Sequence, residues 1–127
     1  MTFTILLVDD NPVQAMTRQA ILARAGRKVV VTSDASQALA MLDDPELARN
    51  VGLVITDHLM PKMNGPEFVS KLRGKFSELP IIVLSGMPDA EREYVGLNIA
   101  YQLKPIAPEE LIRLVNSFSR DALDRIA

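Results

Sequence analysis

The chain has 127 residues, 48% of them hydrophobic and 24% charged, with a formal net charge of −2; that suits one globular domain with its own core, taken as 1–127. Fourteen basic residues against sixteen acidic ones argue against a nucleic-acid surface, and the absence of cysteine excludes disulfides, thiolate chemistry and cysteine zinc sites. No apolar run is long enough to span a membrane, and Met1-Thr2-Phe3-Thr4 has no basic signal region, so a cytoplasmic location is expected.

The first element is a strand over 4–8, built on Ile5-Leu6-Leu7-Val8. Asn11-Pro12 then offers an N-cap and a proline at the first helical position of a helix over 12–25. Val13, Met16, Ala20 and Ala23 are its expected inward stripe, and Gly26 its stop. Val29-Val30-Val31 predicts a strand over 28–32. Asp34 with Gln37 resembles a capping box opening a helix over 35–42. Leu53-Val54-Ile55 centres a strand over 51–56. Asn64-Gly65 is expected to turn the chain into a helix over 65–73, with Phe68, Val69, Leu72 and Phe76 on one stripe, Gly74 at its end, and Lys71, Arg73 and Lys75 on a solvated face. Ile81-Ile82-Val83-Leu84 predicts a strand over 80–84, followed by a helix over 88–96. Ile99-Ala100-Tyr101-Gln102-Leu103 is a weaker run, giving a strand over 100–103. Ala107-Pro108-Glu109-Glu110 starts the last helix, 108–122, whose stripe is Leu111, Val115, Phe118 and Ala122.

The apolar runs are short, β-branched and nearly free of polar alternation, as strands buried on both faces must be. Five of them alternate with five helical segments. The fold class is therefore α/β: a (βα)5 doubly wound, five-stranded parallel sheet with right-handed crossovers.

Chemistry collects just past the end of each strand. Asp9 and Asp10 come after the first, Asp57 after the third, Ser85 and Gly86 after the fourth, Lys104 and Pro105 after the fifth. A parallel sheet brings all of these to its carboxyl edge, where open α/β sheets bind ligands. Two like charges about 4 Å apart repel by about 4 kcal/mol at an effective dielectric near 20, so three carboxylates call for a cation or for raised pKa values. Hard oxygen donors suit Mg²⁺, with Mn²⁺ or Ca²⁺ possible in its place. A divalent ion, an ammonium and a hydroxyl together are the provision for phosphoryl transfer, and a carboxylate is itself a competent nucleophile.

The segments Leu7-Val8-Asp9-Asp10-Asn11, Asp57-His58-Leu59-Met60-Pro61-Lys62-Met63-Asn64-Gly65, Val83-Leu84-Ser85-Gly86 and Tyr101-Gln102-Leu103-Lys104-Pro105 resemble, in order and spacing, the signature blocks of response-regulator receiver domains. The resemblance implies the sheet order 2-1-3-4-5 and a phosphoryl group taken onto Asp57 from the phosphohistidine of a histidine kinase or phosphotransfer protein. It implies Mg²⁺ held by Asp9, Asp10, Asp57 and the backbone carbonyl of Leu59. Lys104, Ser85 and Gly86 would contact the phosphoryl group, Tyr101 would be the switch aromatic, and the Lys104–Pro105 peptide would be cis. The output would be altered binding of a protein partner, by a monomer or a weak, phosphorylation-dependent dimer. His58 should face away from Asp57, since strand side chains alternate, and is read as a variable loop residue.

Only nineteen positions separate Ser85 from Lys104, a couple fewer than receivers usually have, so the helix over 88–96 should be short or irregular. Leu59 and Met87 lie two past the acceptor and two past the hydroxyl. Both are apolar and unable to orient a hydrolytic water, so slow self-dephosphorylation is expected. Other readings remain. A Mg²⁺-dependent aspartyl-phosphate phosphatase wants a second carboxylate at position 59, which is Leu. A flavin-binding relative wants a glycine-rich loop where Asp9-Asp10-Asn11-Pro12 stands. A receiver that binds partners without phosphorylation would not need the acidic site.

Overall fold

Strands with apolar residues at nearly every position must have both faces covered. In the computed structural model, which describes residues 3–126 and for 119–126 only the backbone, they are. The strands are β1 (Thr4–Val8), β2 (Lys28–Thr32), β3 (Val51–Asp57), β4 (Ile81–Ser85) and β5 (Ala100–Leu103). They form one parallel sheet in the order β2-β1-β3-β4-β5, the expected topology.

Side-chain alternation sorts the strand residues onto two faces. Leu6, Val8, Val54 and Val83 pack with Phe68, Val69 and Leu72 on one side. Ile5, Leu7, Leu53, Ile55, Ile82 and Leu84 pack with Leu22, Leu111 and Val115 on the other. The helices are α1 (Pro12–Arg24), α2 (Ala35–Met41), α3 (Pro45–Asn50), α4 (Gly65–Lys75) and α5 (Pro108–Ile126). Asn11, Asp34, Asp44 and Asn64 cap the first four, each accepting from backbone N–H groups of the first turn.

The structure departs from the sequence expectations at several points. The short helix α3 occupies a stretch without a predicted element. Val13 and Met16 are 73% and 69% exposed, so the expected stripe of α1 faces outward; Ala15 and Leu22 are buried instead. Small or apolar residues line both sides of α1, and the face that meets β1 and β2 decides which is inside. Asn64 is a cap, and the left-handed turn before α4 falls at Lys62 (φ 71°). Gly74 lies within α4, which runs on to Lys75. Arg73 is not on a solvated face: its guanidinium donates to the carbonyls of Leu97 (2.7 Å), Phe76 (3.1 Å), Leu79 (2.6 Å) and Asn98 (2.8 Å). Those bonds tie the end of α4 to the chain entering β4 and β5. Ala122 lies outside the described side chains.

The segment expected to be short or irregular is a 3₁₀ helix, Pro88–Tyr94. With a rise of about 2.0 Å per residue against about 1.5 Å in an α-helix, a 3₁₀ helix covers more ground with fewer residues. Gly96 (φ 83°) and Asn98 (φ 53°) then turn the chain into β5.

Candidate functional site

Backbone hydrogen bonds that continue the sheet past its strands set the positions of the candidate residues. Asp9 N–H donates to the Thr32 carbonyl (3.1 Å), His58 N–H to the Leu84 carbonyl (3.0 Å) and Lys104 N–H to the Ser85 carbonyl (2.7 Å). The strand ends are thus held level, and their side chains meet at one edge.

Asp9, Asp10 and Asp57 each bring an oxygen within 4.8 Å of the others'. Asp9 and Asp57 are 2% and 3% exposed, whereas Asp10 is open to solvent, so the cluster is lined within and reached from one side. Three carboxylates without a nitrogen or sulfur donor form a hard-oxygen set that fits a divalent cation such as Mg²⁺. Asp57 Oδ1 accepts from the Lys104 ammonium at 2.8 Å. Asp9 Oδ1 accepts from the Asn11 N–H at 2.9 Å. Burial pushes the Asp9 carboxyl up to about 7; a hydrogen bond toward Asp57 and that group's charge add to the rise, while Asn11 N–H and the Arg18 guanidinium oppose it.

Arg18 is a member of the site that the sequence pattern did not reveal. Its Nη1 lies 2.7 Å from Asp9 Oδ2 and 3.5 Å from Asp57 Oδ1, and its side chain is 11% exposed. It shares the inner face of α1 with Ala15 and Leu22, at i, i+3 and i+7. That spacing is the available signal, obscured because an arginine on a helix ordinarily points outward.

Ser85 is buried, and its Oγ accepts from the Met87 N–H at 3.0 Å. Gly86 is exposed, with open space where a Cβ would stand. The Tyr101 hydroxyl donates to the Met87 carbonyl, tying the expected switch aromatic to the loop after Ser85. The Lys104–Pro105 peptide is cis. Leu59 and Met87 are 66% and 45% exposed.

His58 does lie across the sheet from Asp57, in the bend just past β3, but it is not a free loop side chain. It is buried, its Nδ1 is 2.7 Å from the Tyr94 hydroxyl, and the two rings meet edge-on at 5.6 Å. Tyr94 in turn packs against Tyr101, with ring centres 5.9 Å apart. A Cβ at Gly65 would collide with the Tyr94 hydroxyl, so glycine there makes room for the pair.

The family model described as "Response regulator receiver domain" matches residues 5–116. The transcriptional regulatory protein CpxR of Klebsiella pneumoniae is 33% identical over 119 residues, which cover 91% of this chain and 49% of that protein. An uncharacterized 14.6 kDa protein of Leptolyngbya boryana is 34% identical over 119 residues, covering 90% of this chain and 88% of its own. The crystal structure of a response regulator receiver protein from Pseudomonas putida superposes with a TM-score of 0.82 at 30% identity, covering 92% of this chain and 98% of that one. The chain spans about half the length, or less, of most of the curated relatives it matches. Among the described residues no helix is long and apolar enough to cross a membrane. With the sheet order, the acidic cluster and the Lys104 contact in place, the chain belongs to the response regulator receiver domain family of two-component systems.

Proposed function

We propose that residues 1–127 work as a phosphoryl-accepting switch, with Asp57 taking the group from the phosphohistidine of a histidine kinase or phosphotransfer protein. The observation that carries this is the convergence of Asp9, Asp10 and Lys104 on Asp57 at the sheet edge. An oxygen of Asp57 attacks phosphorus; the new P–O bond forms as the P–N bond breaks, and the imidazole leaves with that electron pair. A carboxylate needs no general base for this. Lys104 holds Asp57 in place and stays near enough to meet the charge of the arriving phosphoryl oxygens. Asp9, Asp10 and Asp57, with the Leu59 carbonyl, would hold Mg²⁺, which when bound neutralises phosphoryl charge.

Ser85 would follow the phosphoryl group, at the cost of its present bond from the Met87 N–H. Because Tyr101 holds the Met87 carbonyl, a shift of this loop releases or re-aims that ring, and with it the surface of the 3₁₀ helix and β5 offered to a partner. Leu59 and Met87 leave the acyl phosphate without a side chain to orient water, so it is long-lived.

Incubation with acetyl phosphate and Mg²⁺ tests the proposal. One base- and hydroxylamine-labile phosphoryl group per chain is expected, lost on chelation and in Asp57→Asn. Incorporation that ignores the chelator would refute it.

A further inference from the structure

A guanidinium already stands among the carboxylates. Arg18 reaches in from α1 and places Nη1 2.7 Å from Asp9 Oδ2 and 3.5 Å from Asp57 Oδ1, both on nearly buried acids. Lys104 holds the same Asp57 oxygen at 2.8 Å. The three acids thus face two cations, and one of these, Arg18, bridges two of the oxygens that a divalent ion would need.

We propose that Arg18 is a resident counter-cation that competes with the divalent ion for Asp9 and Asp57 and so sets the site's affinity for it. This rests on the reading of the acidic cluster as a Mg²⁺ site. Charge and room both support the competition. A guanidinium does not leave by losing its proton; it leaves only by moving. A divalent ion bound to Asp9 and Asp57 would share their oxygens with Arg18 and be repelled by it. Space for a withdrawn Arg18 is present: a groove of about 470 Å³ runs beside α1, lined by Arg18 itself with Gln14, Thr17, Ile21, Lys104 and Ile106. The arginine stem can lie along the apolar part of this groove while its head turns to solvent.

In such a competition the observed affinity is the intrinsic one scaled by the fraction of molecules with Arg18 withdrawn. Metal-free protein is held together by the arginine, and metal-bound protein by the ion. The domain therefore has two states, each with a cation between Asp9 and Asp57, and its readiness for phosphorylation depends on a higher concentration of the free divalent ion than an open acidic site would need.

Calorimetric titration of the whole chain with Mg²⁺ alone tests this, with no phosphoryl donor present. Arg18→Gln is expected to lower the Mg²⁺ Kd about tenfold, as it would if Arg18 were withdrawn in about a tenth of wild-type molecules. Arg18→Met, which keeps the length and apolar stem, should tighten binding equally and serves if the glutamine variant folds poorly. In thermal melts both variants should unfold earlier than wild type in chelator and gain more from added Mg²⁺. An unchanged or weaker Mg²⁺ affinity in both overturns the assignment while leaving the metal site standing. Absence of Mg²⁺ binding by wild type and variants alike overturns the assignment and the metal-site reading together.

Discussion

The Lys104 ammonium lies 2.8 Å from Asp57 Oδ1, although the two residues stand at the ends of strands separated by β4. The contact depends on the end of β4, which holds both neighbours: His58 N–H bonds the Leu84 carbonyl and Lys104 N–H bonds the Ser85 carbonyl. Removing a preorganised cation from a site where phosphoryl charge develops costs about a hundred-fold or more in rate. Lys104→Met should therefore slow phosphorylation by acetyl phosphate by about that factor, measured as the initial rate at saturating Mg²⁺, with Mg²⁺ affinity changed far less.

The His58–Tyr94 hydrogen bond is buried and lies over Gly65. Tyr94→Phe leaves the imidazole nitrogen without its partner, which costs about 1–3 kcal/mol. Gly65→Ala drives the tyrosine hydroxyl aside and should cost at least as much. Because the two changes break one arrangement, the double variant should fall short of their sum. Urea denaturation of the four proteins measures this directly, and strict additivity would show that Gly65 does not act through Tyr94.

Asp9 gives the metal-free domain a pH dependence of definite sign. Its carboxyl lies at about 7 in the folded chain against the ordinary 3.8, chiefly through burial. The folded state therefore binds more protons than the unfolded one between these values, and stability falls as pH rises across that window. The contribution is full below the lower value and gone above the upper. Denaturation in chelator at a series of pH values should show the decline, and Asp9→Asn should flatten it. Mg²⁺ affinity should move oppositely, rising to about neutral pH as the proton leaves.

Met87 is 45% exposed two residues past Ser85, and its backbone is held by Ser85 Oγ and the Tyr101 hydroxyl. Only its side chain needs to change to admit an ordered water. Met87→Gln should shorten the lifetime of the phosphorylated protein several-fold, measured as loss of label after removal of the donor. An equal or longer lifetime would count against apolar side chains at 59 and 87 as the cause of slow hydrolysis.

Much of this is legible in the sequence because apolar runs bounded by turn residues mark buried parallel strands, and strand ends locate the site. The candidates Asp9, Asp10, Asp57, Ser85 and Lys104 are all picked out that way. Arg18 and Arg73 are not, for one reason: a charged side chain on a helix is assigned to solvent unless its partners are known. Those partners, buried carboxylates for Arg18 and backbone carbonyls for Arg73, lie outside the arginine's own helix. Alternation alone places His58 on the correct side of the sheet. Its burial depends on Tyr94, which the 3₁₀ helix delivers. The short helix α3 does carry a signal, Asp44-Pro45, of the same kind as Asn11-Pro12.

The central claim, that Asp57 carries the phosphoryl group, is tested most directly by locating it. The protein is phosphorylated with acetyl phosphate and Mg²⁺, the acyl phosphate is reduced with borohydride, and the peptides are mapped by mass spectrometry. Reduction at Asp57 alone is the predicted result. Reduction at Asp9 or Asp10 instead, or a phosphoryl group found on His58, would contradict it.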